Sequence, residues 1–357
     1  INIGAMFAPT AAIEIMKWSQ ETFGVSEADS YHYAFAVACA SLIFSIAIYY
    51  LGMGTFRQVI TTTKKKDAAA TNEPQAEELS PTETRERITC LILVMAVVVF
   101  FWMAFHQNGL TLTFFARDYT ATSTSGVQAM MFDVTNLVAA IFMVFGAFAL
   151  FQSKEAKGKL SGAALILAPA AYLYWNYQQL PESISISAPI FQQFNACFVV
   201  MLTPVSIALF GWLGKKGKEP KAPVKIGLGM LVAACAYLLM IAGSIGLPVP
   251  TYTNGVNDHM ANVTPNLLVS TYLVLTFAEL LLSPIGISFV SKVAPPKYKG
   301  MMMGAWFVST ALGNFLVQIP GYLWGMDLTI VWGVLAAICV VAALFIFSII
   351  KKLNKVS

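Results

Sequence analysis

Residues 270–290 read "STYLVLTFAELLLSPIGISFV", an apolar stretch whose single charge, Glu279, has about two turns or more of apolar residues on either side. A spanning helix needs about 20 mostly apolar residues, so this stretch is long enough to cross a bilayer. An ionisable side chain at its middle costs about 2.5–3.5 kcal/mol on insertion and marks a functional position by default. The rest of the chain repeats the pattern. Apolar windows fall at roughly 1–18, 31–53, 88–110, 128–151, 160–177, 187–213, 225–246, 264–290, 299–324 and 327–350. The fifth, around "GAALILAPAAYLYW", is short and holds a proline, so it reads as the weakest span.

Composition agrees with this reading. The 357 residues are 57% hydrophobic and 11% charged, whereas a soluble domain is about a quarter charged. The fold class expected is therefore an all-α membrane protein. Every basic residue except Lys17 and Arg117 falls in the linker, in alternate connections or in the tail. The remaining loops are acidic or neutral, such as "SQETFGVSEADS" and "PTYTNGVNDHMANV". By the positive-inside rule the basic side is cytoplasmic, which puts the C-terminus inside a multi-pass protein of the cell membrane. The net charge of +4 then reflects loops facing anionic lipid, with no call for nucleic acid. Ile1 lies inside an apolar window with no initiator Met, so the sequence reads as lacking its natural N-terminus. The segment 61–87, "TTTKKKDAAATNEPQAEELSPTETRER", reads as a flexible cytoplasmic linker. Five cysteines without CxxC spacing read as small buried hydrophobes.

Four ionisable residues within the windows are candidates: Glu14, His106, Asp133 and Glu279. Glu14 and Asp133 lie near span ends, where a side chain reaches water, and are given a structural or gating role at most. Glu279 shares a helix face with Ser283, and Pro284 and Gly286 follow, which suits a wall bending around a cavity. The plainer reading is an acid paired with a cation on another helix, but the spans offer no mid-membrane Lys or Arg. Asn195 in "FNACFVVMLTPV" reads either as helix glue or as part of a site. Gly300, Gly304, Ala305, Ser309 and Gly313 recur on one helical face and read mostly as packing, while mid-span Trp306 could line a cavity. Trp102 and His106, four apart, share a face, with a neutral imidazole bonded to a neighbouring helix as the bland alternative. His32 and His259 read as solvated. No metal, phosphate-loop or nucleotide motif is present, so no cofactor and no enzyme activity are expected.

Four segments, taken in order, carry a family resemblance. "INIGAMFAP" resembles the "INxG" signature of the proton-dependent oligopeptide transporters, within the major facilitator superfamily. "FFWMAFHQNG" is similar to that family's "FW…EQ.G" segment, and "FNACFVVMLTPV" to its "xNPxFxxxxxP" helix. "FAELLLSPIGISFVSKVAPPKYKGMMMGAWF" resembles its run "GE.L.SP.GLS…KLAP……MG.WF". The resemblance implies a partial major-facilitator fold. Residues 1–53 would be the last two helices of the N-terminal bundle and 54–87 the linker. Residues 88–123 would open the C-terminal bundle, 124–186 would be an accessory two-helix insert without a site, and 187–357 would complete that bundle. The family's first four helices, with its "ExxER" motif and a substrate-binding lysine, would be missing.

The resemblance also implies roles. Asn2, Asn195 and Glu279 match positions holding a peptide's amino terminus, with Ser283 beside them, and Trp102 and Trp306 match aromatic cavity walls. His106 stands where the family has an acid engaged in proton coupling and the outer gate, and Asp118 is grouped with it. The function implied is symport of di- and tripeptides with protons through alternating access in the lipid bilayer. The alternatives are a carrier of another small anionic or amino-acid-like solute, or a helical scaffold or sensor.

Overall fold

The computed structural model describes residues 2–69, 79–253, 256–258 and 261–356. His259, read above as solvated, lies outside them. Two compact units emerge, Ala8–Thr84 and a larger one of Arg85–Ser357 with the first residues up to Phe7.

α1 (Asn2–Phe23), which belongs to the smaller unit from Ala8 onward, turns at Gly24, whose φ of 65° favours glycine, into α2 (Glu27–Ala69). Ser26 starts α2: its hydroxyl accepts from the Asp29 N–H at 3.1 Å and donates to the Asp29 carboxylate at 2.7 Å. Trp18, Phe23 and Tyr33 cluster around the turn. Glu14 pairs with Lys17 at 3.5 Å on the exposed surface. Helix continues through 54–69, part of the segment read as linker, where Arg, Gln, Lys and Ala are good helix formers.

The larger unit begins with α3 (Pro81–Phe105), a 3-10 turn (His106–Gly109) and α4 (Thr111–Asp118). Next come β1 (Ser123–Thr124), α5 (Gly126–Met130), α6 (Val134–Gln152), α7 (Ala156–Gln178) and β2 (Ile184–Ser185). β1 and β2 pair antiparallel, Ser123 opposite Ser185 and Thr124 opposite Ile184, and bring the two ends of this segment together. Asp133 caps α6, its carboxylate accepting from the Thr135 N–H at 2.7 Å. At the α6–α7 contact, a Cβ on Gly146 would sit 2.8 Å from the Gly162 carbonyl oxygen, so both glycines permit close approach.

The remaining elements are α8 (Gln192–Lys215), α9 (Ala222–Ser244), β3 (Tyr252–Thr253), β4 (Val256–Asn257) and α10 (Pro265–Val293). They end with α11 (Lys299–Leu316), α12 (Gln318–Tyr322), α13 (Leu328–Ser348) and α14 (Ile350–Val356). α9 packs on α10 and α13, α10 on α8 and α11, and α6 on α7 and α8.

Eight helical segments among the described residues are long and apolar enough to cross a membrane, as in a multi-pass membrane protein. The other two windows form α1 and α7, which fall outside the eight. α1 carries Glu14, Lys17 and Glu21, and α7 carries Lys157, Lys159 and Asn176. Two readings need correction. Cys39 and Cys235 are exposed, while Cys90, Cys197 and Cys339 are buried. Both exposed thiols lie on apolar helices, where exposure means facing lipid as readily as water. Of the α11 glycines, Gly300 and Gly304 face open space, and only Gly313 meets a neighbour.

Candidate functional site

The sequence "HQNG" breaks a long apolar helix, because Asn-Gly favours turns and Leu110 takes φ −129° and ψ −90°. Such a break frees carbonyls that need donors inside a bilayer. Three neighbours supply them. Gln107 Nε2 donates to Met103 O at 3.1 Å and to Val317 O at 2.9 Å, linking this break to the one between α11 and α12. Tyr237 of α9 donates to Ala104 O, and Tyr272 of α10 donates to Asn108 O at 2.9 Å. Sequence reasoning missed Gln107, Tyr237 and Tyr272. A mid-span tyrosine or glutamine needs a partner, and that was the available signal.

His106 opens this turn. Its ring stacks on Trp102 with centroids 5.1 Å apart and planes 19° apart, and meets Phe105 edge-on. The shared face read from the spacing is therefore a ring stack. Trp102 is 9% exposed and packs on α11, where a Cβ on Gly313 would lie 2.5 Å from its own Cβ. The Trp102 indole N–H is buried and has no acceptor among the described residues.

Across the bundle, α8 brings Asn195 against α10. Its Nδ2 donates to Thr276 Oγ1 at 3.0 Å and to Glu279 Oε2 at 3.1 Å. Thr276 in turn donates to the Tyr272 carbonyl at 2.7 Å. Both amide hydrogens of Asn195 are thus committed, while its oxygen and the second oxygen of Glu279 keep accepting capacity. None of the ion pairs Lys17–Glu14, Arg117–Asp118, Lys225–Glu219 and Lys355–Glu86 includes Glu279. Ser283 is half-buried one turn further along α10. Trp306 is 2% exposed and fills the space beside Gly286, where a Cβ would come within 2.0 Å of its ring. Asn2 opens α1, half-buried.

Asp118 lies beyond the break, at the end of α4. It is 3% exposed and fully engaged. Arg117 donates to its two oxygens at 2.6 and 2.9 Å, Tyr252 at 2.6 Å and Trp324 Nε1 at 3.2 Å. Asn257 donates to the Asp118 carbonyl at 3.2 Å, so the α4 terminus is tied to the loop before α10. Partial burial, then the bond to Asp118, hold the Tyr252 phenol above its usual range.

The family model described as POT family matches residues 176–320. Over that stretch the chain is similar to the POT family. It is 25% identical over 337 residues to a peptide transporter of Yersinia enterocolitica, covering 90% of this chain and 59% of that protein. It is also 25% identical over 333 residues to dipeptide and tripeptide permease B of Salmonella typhimurium, covering 88% of this chain and 57% of that one. A crystal structure of a peptide transporter POT variant in complex with alafosfalin superposes with a TM-score of 0.62 at 17% identity. It covers all of this chain and 66% of that one, which shows the POT fold. The chain spans less than two thirds of the length of the relatives it matches. Asn195, Glu279, Ser283 and Trp306 fall inside the POT match, whereas Asn2, Trp102, His106 and Asp118 fall outside it. No cluster of metal-ligating side chains forms among the described residues.

Proposed function

We propose that the complete protein takes up di- and tripeptides with protons by alternating access, its basic loops and C-terminus facing the cytoplasm. The observation that carries this reading is the α8–α10 pair, a half-buried carboxylate with one amide partner and no cation. An unpaired carboxylate in an apolar bundle is costly, so it marks a place for a cationic group. A short peptide always offers an ammonium, and its carboxylate lies no further away than about 3.3–3.6 Å of extended chain per residue. Glu279 and Asn195, with Ser283 and Asn2, would hold that ammonium end. The free N–H of Trp102 supports a place for it in the cavity wall, and Trp306 would support the same wall from behind. His106, on the Trp102 ring, would carry the coupling proton, and Asp118 would hold the outer end of its helix. Each proton moving down the membrane potential supplies about 2.3 kcal/mol per 100 mV, enough to concentrate a peptide. The relatives named as peptide transporters support this substrate class. The test is uptake of a labelled dipeptide by vesicles holding the complete protein. Accumulation should require an inward proton gradient and vanish with a protonophore. Accumulation without a gradient, or of amino acids in preference to dipeptides, would overturn the reading.

A further inference from the structure

A cavity of about 510 Å³ lies where the α8–α9 connection and the last turns of α10 meet, two places that the charge pattern assigns to the same basic side. Glu219, Lys221, Lys225 and Lys292 give it charge, and Ile285 and Phe289 give it an apolar wall. Three ammonium groups face one carboxylate, so the cavity is net positive. Lys225 is only 7% exposed. One of its three donors is taken by Glu219, and its Nζ lies 4.1 Å from the Phe210 ring centroid. A charge buried this deeply is held by design of the fold, because desolvating a lysine is costly. Lys221 reaches the Asn354 carbonyl at 3.4 Å, which keeps it over the rim. The first turn of α9, a 23-residue helix, adds the positive end of its dipole, with Ala222 in the cavity lining.

We propose that this cavity binds a phosphate group, the chemistry that an anionic lipid headgroup presents at the end of a membrane span. The apolar wall descends along α10 beside the charged rim, which fits a glycerol backbone and the first methylenes better than a free ion. Basic pockets between membrane helices on the cytoplasmic side hold such headgroups. On α10 the cavity is lined from Pro284 to Val293, about one and a half to four turns beyond Glu279, and the proposal does not depend on the peptide reading.

The experiment uses the complete protein in bilayer discs of equal parts phosphatidylglycerol and phosphatidylcholine, with retained lipid read by native mass spectrometry. The Lys221→Gln/Lys292→Gln variant changes two rim residues and leaves the buried Lys225–Glu219 pair intact. Lys154→Gln/Lys157→Gln, on the same basic side but away from the cavity, is the control. Retention of phosphatidylglycerol should weaken roughly twenty-fold in the cavity variant, as expected for two lysines near an anionic surface, and stay unchanged in the control. Inorganic phosphate added at millimolar level should leave lipid retention unchanged. Competition by it would assign the phosphate site to a soluble anion instead of lipid. Equal losses in both variants, or no loss in either, would overturn the proposal.

Discussion

Asp118 and Glu279 are both carboxylates within the larger unit, and they differ in how completely their oxygens are used. Asp118 accepts from Arg117, Tyr252 and Trp324 and ties three elements together at one end of the bundle. Glu279 accepts from Asn195 alone among the described residues and keeps an oxygen in reserve. A filled hydrogen-bond shell makes an acid a fastener, whereas an unfilled shell leaves accepting capacity over. The same contrast separates Gln107, committed on both its nitrogen and its oxygen, from Trp102, whose N–H is unmet.

The largest effect should come from removing the fastener. Asp118→Ala leaves Arg117, Tyr252 and Trp324 without their acceptor. Breaking a buried pair costs about 3–5 kcal/mol, and the 52% exposure of the Arg117 side chain reduces this to about 2–3 kcal/mol. Thermal unfolding in detergent should show the loss, while discrimination between free and N-acetylated dipeptides should survive. Wild-type stability in this variant would erase the contrast.

Glu279→Gln should do the opposite. The shape stays and the charge goes, so affinity for a free dipeptide should fall by about 2 kcal/mol, the range for hydrogen bonds to charged groups. Stability should scarcely change. An N-acetylated dipeptide, lacking the ammonium, should bind poorly to both forms, and equal losses for the two peptides would make Glu279 structural.

His106→Gln sharpens the comparison on the proton. The pH dependence of uptake should flatten in the variant, with peptide exchange retained and accumulation lost. A variant that keeps the wild-type pH profile would reduce His106 to a packing residue.

The smallest effect concerns the helix break. Tyr272→Phe removes the donor to Asn108 O and should cost about 1 kcal/mol of stability, the net value of one hydrogen bond. No loss would mean that this carbonyl is satisfied without the tyrosine.

Much of the fold was legible from the apolar runs, because a bilayer allows few backbone arrangements and each leaves a long hydrophobic run. Glu279 and Asn195 were legible as polar residues at depth, and the stack of His106 on Trp102 followed from their spacing of four. The limits were equally physical. Nothing local distinguishes Asp118, at a span end, from a solvated acid, since its partners lie at Tyr252 and Trp324. Gly300, Gly304 and Gly313 look alike in sequence, yet only Gly313 faces another helix.

The sequence by itself determined that the chain holds repeated segments long and apolar enough to cross a membrane. It also determined that a lone acid sits mid-span, because hydropathy and charge act residue by residue. Only the tertiary structure decided which acid is saturated and which is free, which carbonyls at the His106 break are met by Tyr237 and Tyr272, and where Lys225 is buried. Those outcomes depend on which helix packs beside which, and hydrogen bonds between residues more than a hundred positions apart leave no mark in the local pattern.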